Sequence, residues 1–130
     1  MVGLGTWRGE ANEVKEAVLT AVRMGYRHID CAKIYENEDE VGEALAQIFE
    51  EGVVKREDLW ITSKLWNTDQ GRDRVLPAVK RSLSKLQLDH LDEYLIHWPV
   101  AEDRGTMTFP NIQVKCLLVF SLRLTKQETW

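Results

Sequence analysis

The sequence predicts an α/β fold organised around a parallel sheet. Short apolar or β-rich runs alternate with amphipathic stretches of helical period, four of the former to three of the latter. That alternation is the signature of parallel strands joined by right-handed crossovers. With 130 residues, 44% of them hydrophobic and 29% charged, the chain can bury one core. Barrels and open doubly wound sheets both begin this way.

The first run, Val2 to Gly5, is strand-sized. Val14, Ala17, Val18, Ala21 and Val22 then recur at helical spacing, which predicts a helix over about 11–24, and Gly25 is placed to end it. Tyr26 to Cys31 follows as a second strand. A second helix should open at Asn37, whose side chain can cap the first turn with Glu40 three residues on, as in a capping box. Val41, Ala44, Leu45, Ile48 and Phe49 form its apolar stripe, and Gly52 stops it. Leu59 to Leu65 is the third strand. The third helix, about 72–86, buries Leu76, Val79, Leu83 and Leu86, and Pro77 lies near enough to its start to be tolerated. Asp92 to Trp98 is the fourth strand. Ala101 to Pro110 reads as a polar loop, and 111–130, with its apolar run Val114 to Leu124, fits no fourth crossover helix; strand, weak helix and tail all remain open.

Composition excludes several classes of function. The formal net charge is −4 and no basic block is present, which argues against a nucleic-acid partner. No window approaches the roughly 18 apolar residues of a membrane span, and Met1-Val2-Gly3-Leu4 does not read as a secretory leader, so the cytoplasm is the expected compartment. Cys31 and Cys116 are too few for a disulfide framework, and His28 and His90 lack ligand spacing, so no metal site is predicted.

Chemistry in parallel α/β folds gathers at the carboxyl ends of strands, where the site-forming loops depart. Three successive strands here end on ionisable groups: His28-Ile29-Asp30, Trp60-Ile61-Thr62-Ser63-Lys64 and Tyr94-Leu95-Ile96-His97. Tyr35 follows Asp30 by five residues and can lean over the same rim. Taken singly, Asp30 or Lys64 reads as a solvated strand end, His97 as a histidine satisfied by backbone and Tyr35 as packing. Together they can do proton chemistry. An adjacent ammonium favours a phenolate, so Lys64 is expected to make Tyr35 a usable acid, with Asp30 holding Lys64 charged. His97 would orient a substrate oxygen that gains charge during reduction. Trp7, Trp66 and Trp98 fall near strand ends, where they can wall an apolar pocket or simply pack. Gly3-Leu4-Gly5-Thr6-Trp7-Arg8-Gly9 has its third glycine one place late for a dinucleotide fingerprint, and a Rossmann assignment is rejected.

Several of these segments, in order and at the right spacing, resemble the aldo-keto reductases, most closely the aldose and aldehyde reductase branch. They are Gly3-Leu4-Gly5-Thr6-Trp7, Gly25-Tyr26-Arg27-His28-Ile29-Asp30-Cys31-Ala32, Tyr35-Glu36-Asn37-Glu38, Val41-Gly42, Ser63-Lys64-Leu65-Trp66 and Leu91-Asp92-Glu93-Tyr94-Leu95-Ile96-His97-Trp98-Pro99. The resemblance covers about 1–110. It implies a (β/α)8 TIM barrel, of which the chain supplies about the first four strands and three helices, with a divergent tail over 111–130. It further implies NADPH-dependent reduction of small aldehydes or ketones to alcohols, without metal. Tyr35 would be the general acid, Lys64 its activator, Asp30 the partner of Lys64, and His97 the group that orients the carbonyl. Gly5, Thr6, Trp7 and Asp30 would lie against the cofactor, and Trp7, Trp66, His97 and Trp98 would line the substrate pocket.

A complete barrel of this type takes about 250 residues, so the chain is expected to be a truncated product that lacks the later strands and most of the cofactor site. Full-length members of the family are usually monomeric, whereas an open half-barrel exposes a strand edge and is expected to self-associate. The rival expectation is therefore a non-catalytic half-barrel that acts through association with another chain.

Overall fold

The computed structural model describes residues 2–10, 12–101 and 124–125. Its strands are β1 (Leu4–Gly5), β2 (His28–Asp30), β3 (Trp60–Leu65), β4 (His90–Leu91), β5 (Glu93–Ile96) and β6 (Leu124–Thr125). Its helices are α1 (Glu13–Arg23), α2 (Glu38–Glu50) and α3 (Val75–Lys85), and short 3-10 turns occupy Lys33–Tyr35, Arg56–Asp58 and Asn67–Asp69. Strands β1, β2, β3 and β5 form one sheet in chain order, and every pair is parallel. Because the order never reverses, the sheet winds in one direction, as the opening of a (β/α)8 barrel does and a doubly wound sheet does not. The α/β class and the partial barrel of four parallel strands and three helices are as expected.

The core lies between the sheet and the helices. Ile29 and Ile61 from the strands, Val18 and Val22 from α1, Leu45 and Ile48 from α2, and Leu83 and Leu86 at the end of α3 are all fully buried. Each such side chain contributes about 1.5–3 kcal/mol on leaving water. The strands are shorter than their apolar runs because a ladder extends only where a partner faces it. β1 pairs with β2 through Leu4 and Gly5, and β5 with β3 through Glu93 to Ile96. Of 111–130, only Leu124–Thr125 is described, antiparallel to His90–Leu91. The expected boundary between 110 and 111 lies outside the described residues.

The cap expected at Asn37 is not made. Asn37 precedes α2 without a side-chain cap bond. Its amide instead donates to the Thr6 carbonyl at 2.7 Å, tying the end of β1 to the start of α2 in a buried position where that carbonyl needs a partner.

All three helices end in the same motif. Gly25 (φ 100°), Gly52 (φ 68°) and Gln87 (φ 56°) take the left-handed position. In each case the next residue's N–H closes back on the helix: Tyr26 to Ala21, Val53 to Ile48 and Leu88 to Leu83, at 3.0, 3.1 and 3.0 Å. Two of the three positions carry glycine; Gln87 does not. Gly42 serves a different need, since a Cβ there would run into the Lys85 carbonyl oxygen where α2 crosses the end of α3.

Two substitutions should therefore move stability in opposite directions. Gln87→Gly relieves the left-handed strain and is expected to raise unfolding free energy by about 0.5–1 kcal/mol. Gly42→Ala forces α2 from α3 and should cost about 1–3 kcal/mol. Urea unfolding of both variants beside the parent chain measures the two shifts.

Candidate active site

Parallel register places the candidate side chains on one face. Gly5 pairs with Asp30, Asp30 with Thr62, and Lys64 with Leu95, so Asp30 and Lys64 both rise from the face opposite the helix core. Lys64 Nζ donates to Asp30 Oδ2 at 2.7 Å, to the Cys31 carbonyl at 2.9 Å and to Tyr35 Oη at 3.1 Å. The three N–H groups of the ammonium thus meet three oxygens. Tyr35 closes the 3-10 turn Lys33–Tyr35, with its N–H on the Ala32 carbonyl, and Glu36 follows in the left-handed conformation (φ 56°) to turn the chain towards α2.

His97 continues β5 by one step, with its N–H on the Leu65 carbonyl at 3.0 Å. Its ring stands edge-on to Tyr35 (centroids 5.7 Å) and to Trp66 (5.3 Å), and lies nearly parallel to Trp98 (6.1 Å). Burial, and then the Lys64 charge, push the His97 imidazole below its ordinary pKa, against a smaller opposing pull from Asp30. The ring is therefore neutral near pH 7. Its Nδ1 is buried, with no hydrogen-bond partner among the described residues.

A cavity of about 240 Å³ opens between Trp7, Ile34, Tyr35, Trp66, His97 and Trp98. Tyr35 and His97 thus line the cavity together with the predicted wall residues Trp7, Trp66 and Trp98, and Lys64 and Asp30 adjoin it through the Tyr35 hydroxyl. Trp66 is buried, whereas Trp7 is 58% exposed and projects from the rim. The Arg8 guanidinium lies 4.5 Å over its indole. Thr6 is buried, with its N–H and hydroxyl both donating to the Asp30 carbonyl at 3.1 and 3.2 Å. A Cβ at Gly5 would meet nothing within 4 Å, so the face above β1 beside Asp30 is open.

Sequence reasoning missed several contributors. The Cys31 carbonyl is a main-chain group and has no side-chain signature; the Cys31 thiol itself is fully buried and its pKa is driven up by burial, then by Glu38 and Asp30. Ile34 lines the cavity only because the turn before Tyr35 projects it. Glu38, read as part of the family segment, is buried at the first residue of α2 and accepts hydrogen bonds from Ser63 at 2.7 Å and Ser82 at 3.1 Å. Burial raises its pKa, with the two serines opposing.

The fold and the site define a protein of the parallel-barrel class with a lysine-supported phenol at the carboxyl ends of its strands. The model of the aldo/keto reductase family matches residues 1–120, and the chain belongs to that family. It is 46% identical over 132 residues to the NADP-dependent D-sorbitol-6-phosphate dehydrogenase of Malus domestica, covering all of this chain and 42% of that protein. With human aldo-keto reductase family 1 member A1 it shares 53% over 112 residues, which is 85% of this chain and 34% of the relative. Among solved structures, a Bombyx mori aldo-keto reductase in complex with NADP superposes with TM-score 0.76 at 48% identity, over 79% of this chain and 36% of that one. The Schistosoma japonicum aldose reductase gives TM-score 0.78 at 46% identity, over 92% and 40%. The chain thus spans well under half the length of these relatives.

The electrostatics of His97 can be read directly. Its imidazole should titrate below the ordinary histidine range by NMR, and Lys64→Met should move that titration upward by removing a repelling charge. Because its folded pKa is depressed, its contribution to stability is complete above the unfolded value near 6.5 and is lost as pH falls through the folded value. An imidazole signal that titrates at or above 6.5 in the folded chain would contradict this electrostatic account.

Proposed function

We propose that the chain forms the proton-donating half of an NADPH-dependent reductase that converts small aldehydes or ketones to alcohols, with Tyr35 as general acid. The observation that carries this reading is the Lys64 ammonium, 2.7 Å from the Asp30 carboxylate and 3.1 Å from the hydroxyl of Tyr35, which with His97 lines an aromatic cavity. The NADP-dependent relative and the NADP complex support the choice of cofactor.

The residues present fit the nicotinamide end of such a cofactor. The open face over Gly5, the exposed indole of Trp7, the fixed Thr6 and the Asp30 carboxylate form a strip beside the cavity. Gly5, Thr6, Trp7 and Asp30 are the residues that would hold it. When bound, NADPH supplies the hydride. The substrate carbonyl enters between Trp7, Trp66 and Trp98 with its oxygen towards Tyr35 and His97. As the carbonyl carbon accepts the hydride and the C=O π bond breaks, negative charge grows on that oxygen. The Tyr35 O–H bond then breaks and its proton completes the alcohol. Lys64 stabilises the charge left on the phenol oxygen, and Asp30 holds the ammonium aimed at it. The neutral His97 imidazole hydrogen-bonds the carbonyl oxygen and fixes its approach.

A second reading rests on the chain's span of 34–42% of its curated relatives: the site is completed only by association with further residues, and this chain by itself is not catalytic. The two readings separate in one experiment. NADPH is titrated by fluorescence, and its oxidation is followed with a reactive aldehyde. The reductase reading expects saturable binding and turnover that falls at least about a hundredfold in Tyr35→Phe with binding retained. No binding at high NADPH favours the associative reading.

A further inference from the structure

An ion cluster next to the cavity belongs to none of the roles above. Asp69 closes the 3-10 turn Asn67–Asp69, which follows β3, the strand that carries Lys64. Its side chain is only 3% exposed, yet its Oδ2 takes Lys33 Nζ at 2.7 Å and Arg81 Nη2 at 3.0 Å. Burial alone would raise the Asp69 pKa, but the Lys33 hydrogen bond and the Lys33 and Arg81 charges reverse this and hold it low, so it is a carboxylate at neutral pH. Lys33 opens the very turn that Tyr35 closes. Arg81 comes from α3. The cluster therefore joins the loop after β2, the loop after β3 and a helix of the outer layer.

We propose that Asp69 is a positioning residue for Tyr35: held at its main chain by the Trp66 carbonyl, it pins through Lys33 the turn that presents the phenol to Lys64, while Arg81 shares the same carboxylate from α3. The proposal rests on the reading of Tyr35 as the proton donor. Two features support a positional role. The turn Lys33–Tyr35 contains only three residues, so holding its first residue limits the travel of its last. Asp69 is itself fixed by its N–H on the Trp66 carbonyl at 3.0 Å, so the same anchor relates Tyr35 to an aromatic wall of the cavity. A misplacement of about 1 Å at a reacting group can lower a rate on the order of a hundredfold, so a clamp at this point has leverage.

The test uses the whole chain with tyrosine labelled at ring carbon Cζ, the Tyr35 signal being assigned from Tyr35→Phe. Lys33→Met should move that signal towards the position it takes in Lys64→Met, because the phenol loses its fixed distance to the ammonium; Asp69→Asn should do the same. Arg81→Met, which leaves the Lys33–Asp69 bond in place, should leave it unmoved, and Lys33→Arg should restore it. Lys33→Met leaves Asp69 paired with Arg81 and so should keep the fold, which the buried Tyr94 signal monitors. In turnover, Lys33→Met should lower kcat roughly tenfold with KM within about twofold. A Tyr35 signal unchanged in folded Lys33→Met overturns the proposal, whatever happens to melting temperature. If the parent chain shows no turnover, it is the reductase reading that fails, and the Cζ signal still decides whether the clamp sets the phenol.

Discussion

The site depends on one ammonium having three oxygens to face. Lys64 is 13% exposed, and an ammonium that far from water needs acceptors in place of its hydration. Asp30, the Cys31 carbonyl and the Tyr35 hydroxyl supply them, all from β2 or the residues just after it. The requirement therefore falls on the register between β2 and β3. A slip of one residue would turn Lys64 into the helix layer and put Ser63 or Leu65 at the mouth instead. That register is held by the main-chain bonds from Trp60 N–H to the Arg27 carbonyl and from Cys31 N–H to the Thr62 carbonyl, both 2.8 Å, while Asp92 fixes β3 on its other side, its carboxylate taking the Ile61 N–H at 2.8 Å and Arg56 at 2.7 Å.

Periodicity made the architecture legible because the helices of a barrel's outer layer show one apolar stripe each, and those of α1, α2 and α3 are all in the sequence. The strand ends were legible for a related reason, since Asp30, Lys64 and His97 each stand at or beside the carboxyl end of a short β-rich run. Tyr35 was harder. No strand carries it, and its place over Lys64 is set by a three-residue turn and the left-handed Glu36, which periodicity does not register. Its candidacy came from its distance to Asp30 and from the family resemblance. Asn37 shows the opposite failure, a residue type suited to capping that is drawn off by a buried carbonyl far away in sequence. Long-range demands of this kind, like the pairing of Lys33 with Asp69 across 36 positions, leave no trace in local spacing.

Below the site the concave face of the sheet is polar where a barrel interior is ordinarily filled by bulky branched side chains. Thr62 pairs in register with Asp30 on β2 and Glu93 on β5, and His28, whose own register partner is Trp60, reaches Thr62 diagonally from β2. Thr62 donates its one hydroxyl proton to Glu93 at 3.0 Å, which obliges His28 Nε2 to donate to Thr62 at 3.0 Å and fixes the proton on that nitrogen. Gly3 completes the arrangement, because a Cβ there would sit against the His28 ring.

This layer and the Lys64 cluster constrain the same three strands from two heights. The lower chain, His28 to Thr62 to Glu93, is directional, and each bond crosses from one strand to the next; the upper set, Asp30, Lys64 and His97, spans the same strands at their carboxyl ends. An apolar lower layer would resist separation of the strands but would tolerate sliding, since dispersion contacts are weakly directional. Hydrogen bonds at 3.0 Å tolerate little of either. A floor made of oriented polar groups therefore protects the register on which the placement of the ammonium depends, and every residue from Gly3 to Glu93 that shapes the floor acts on the phenol through that register.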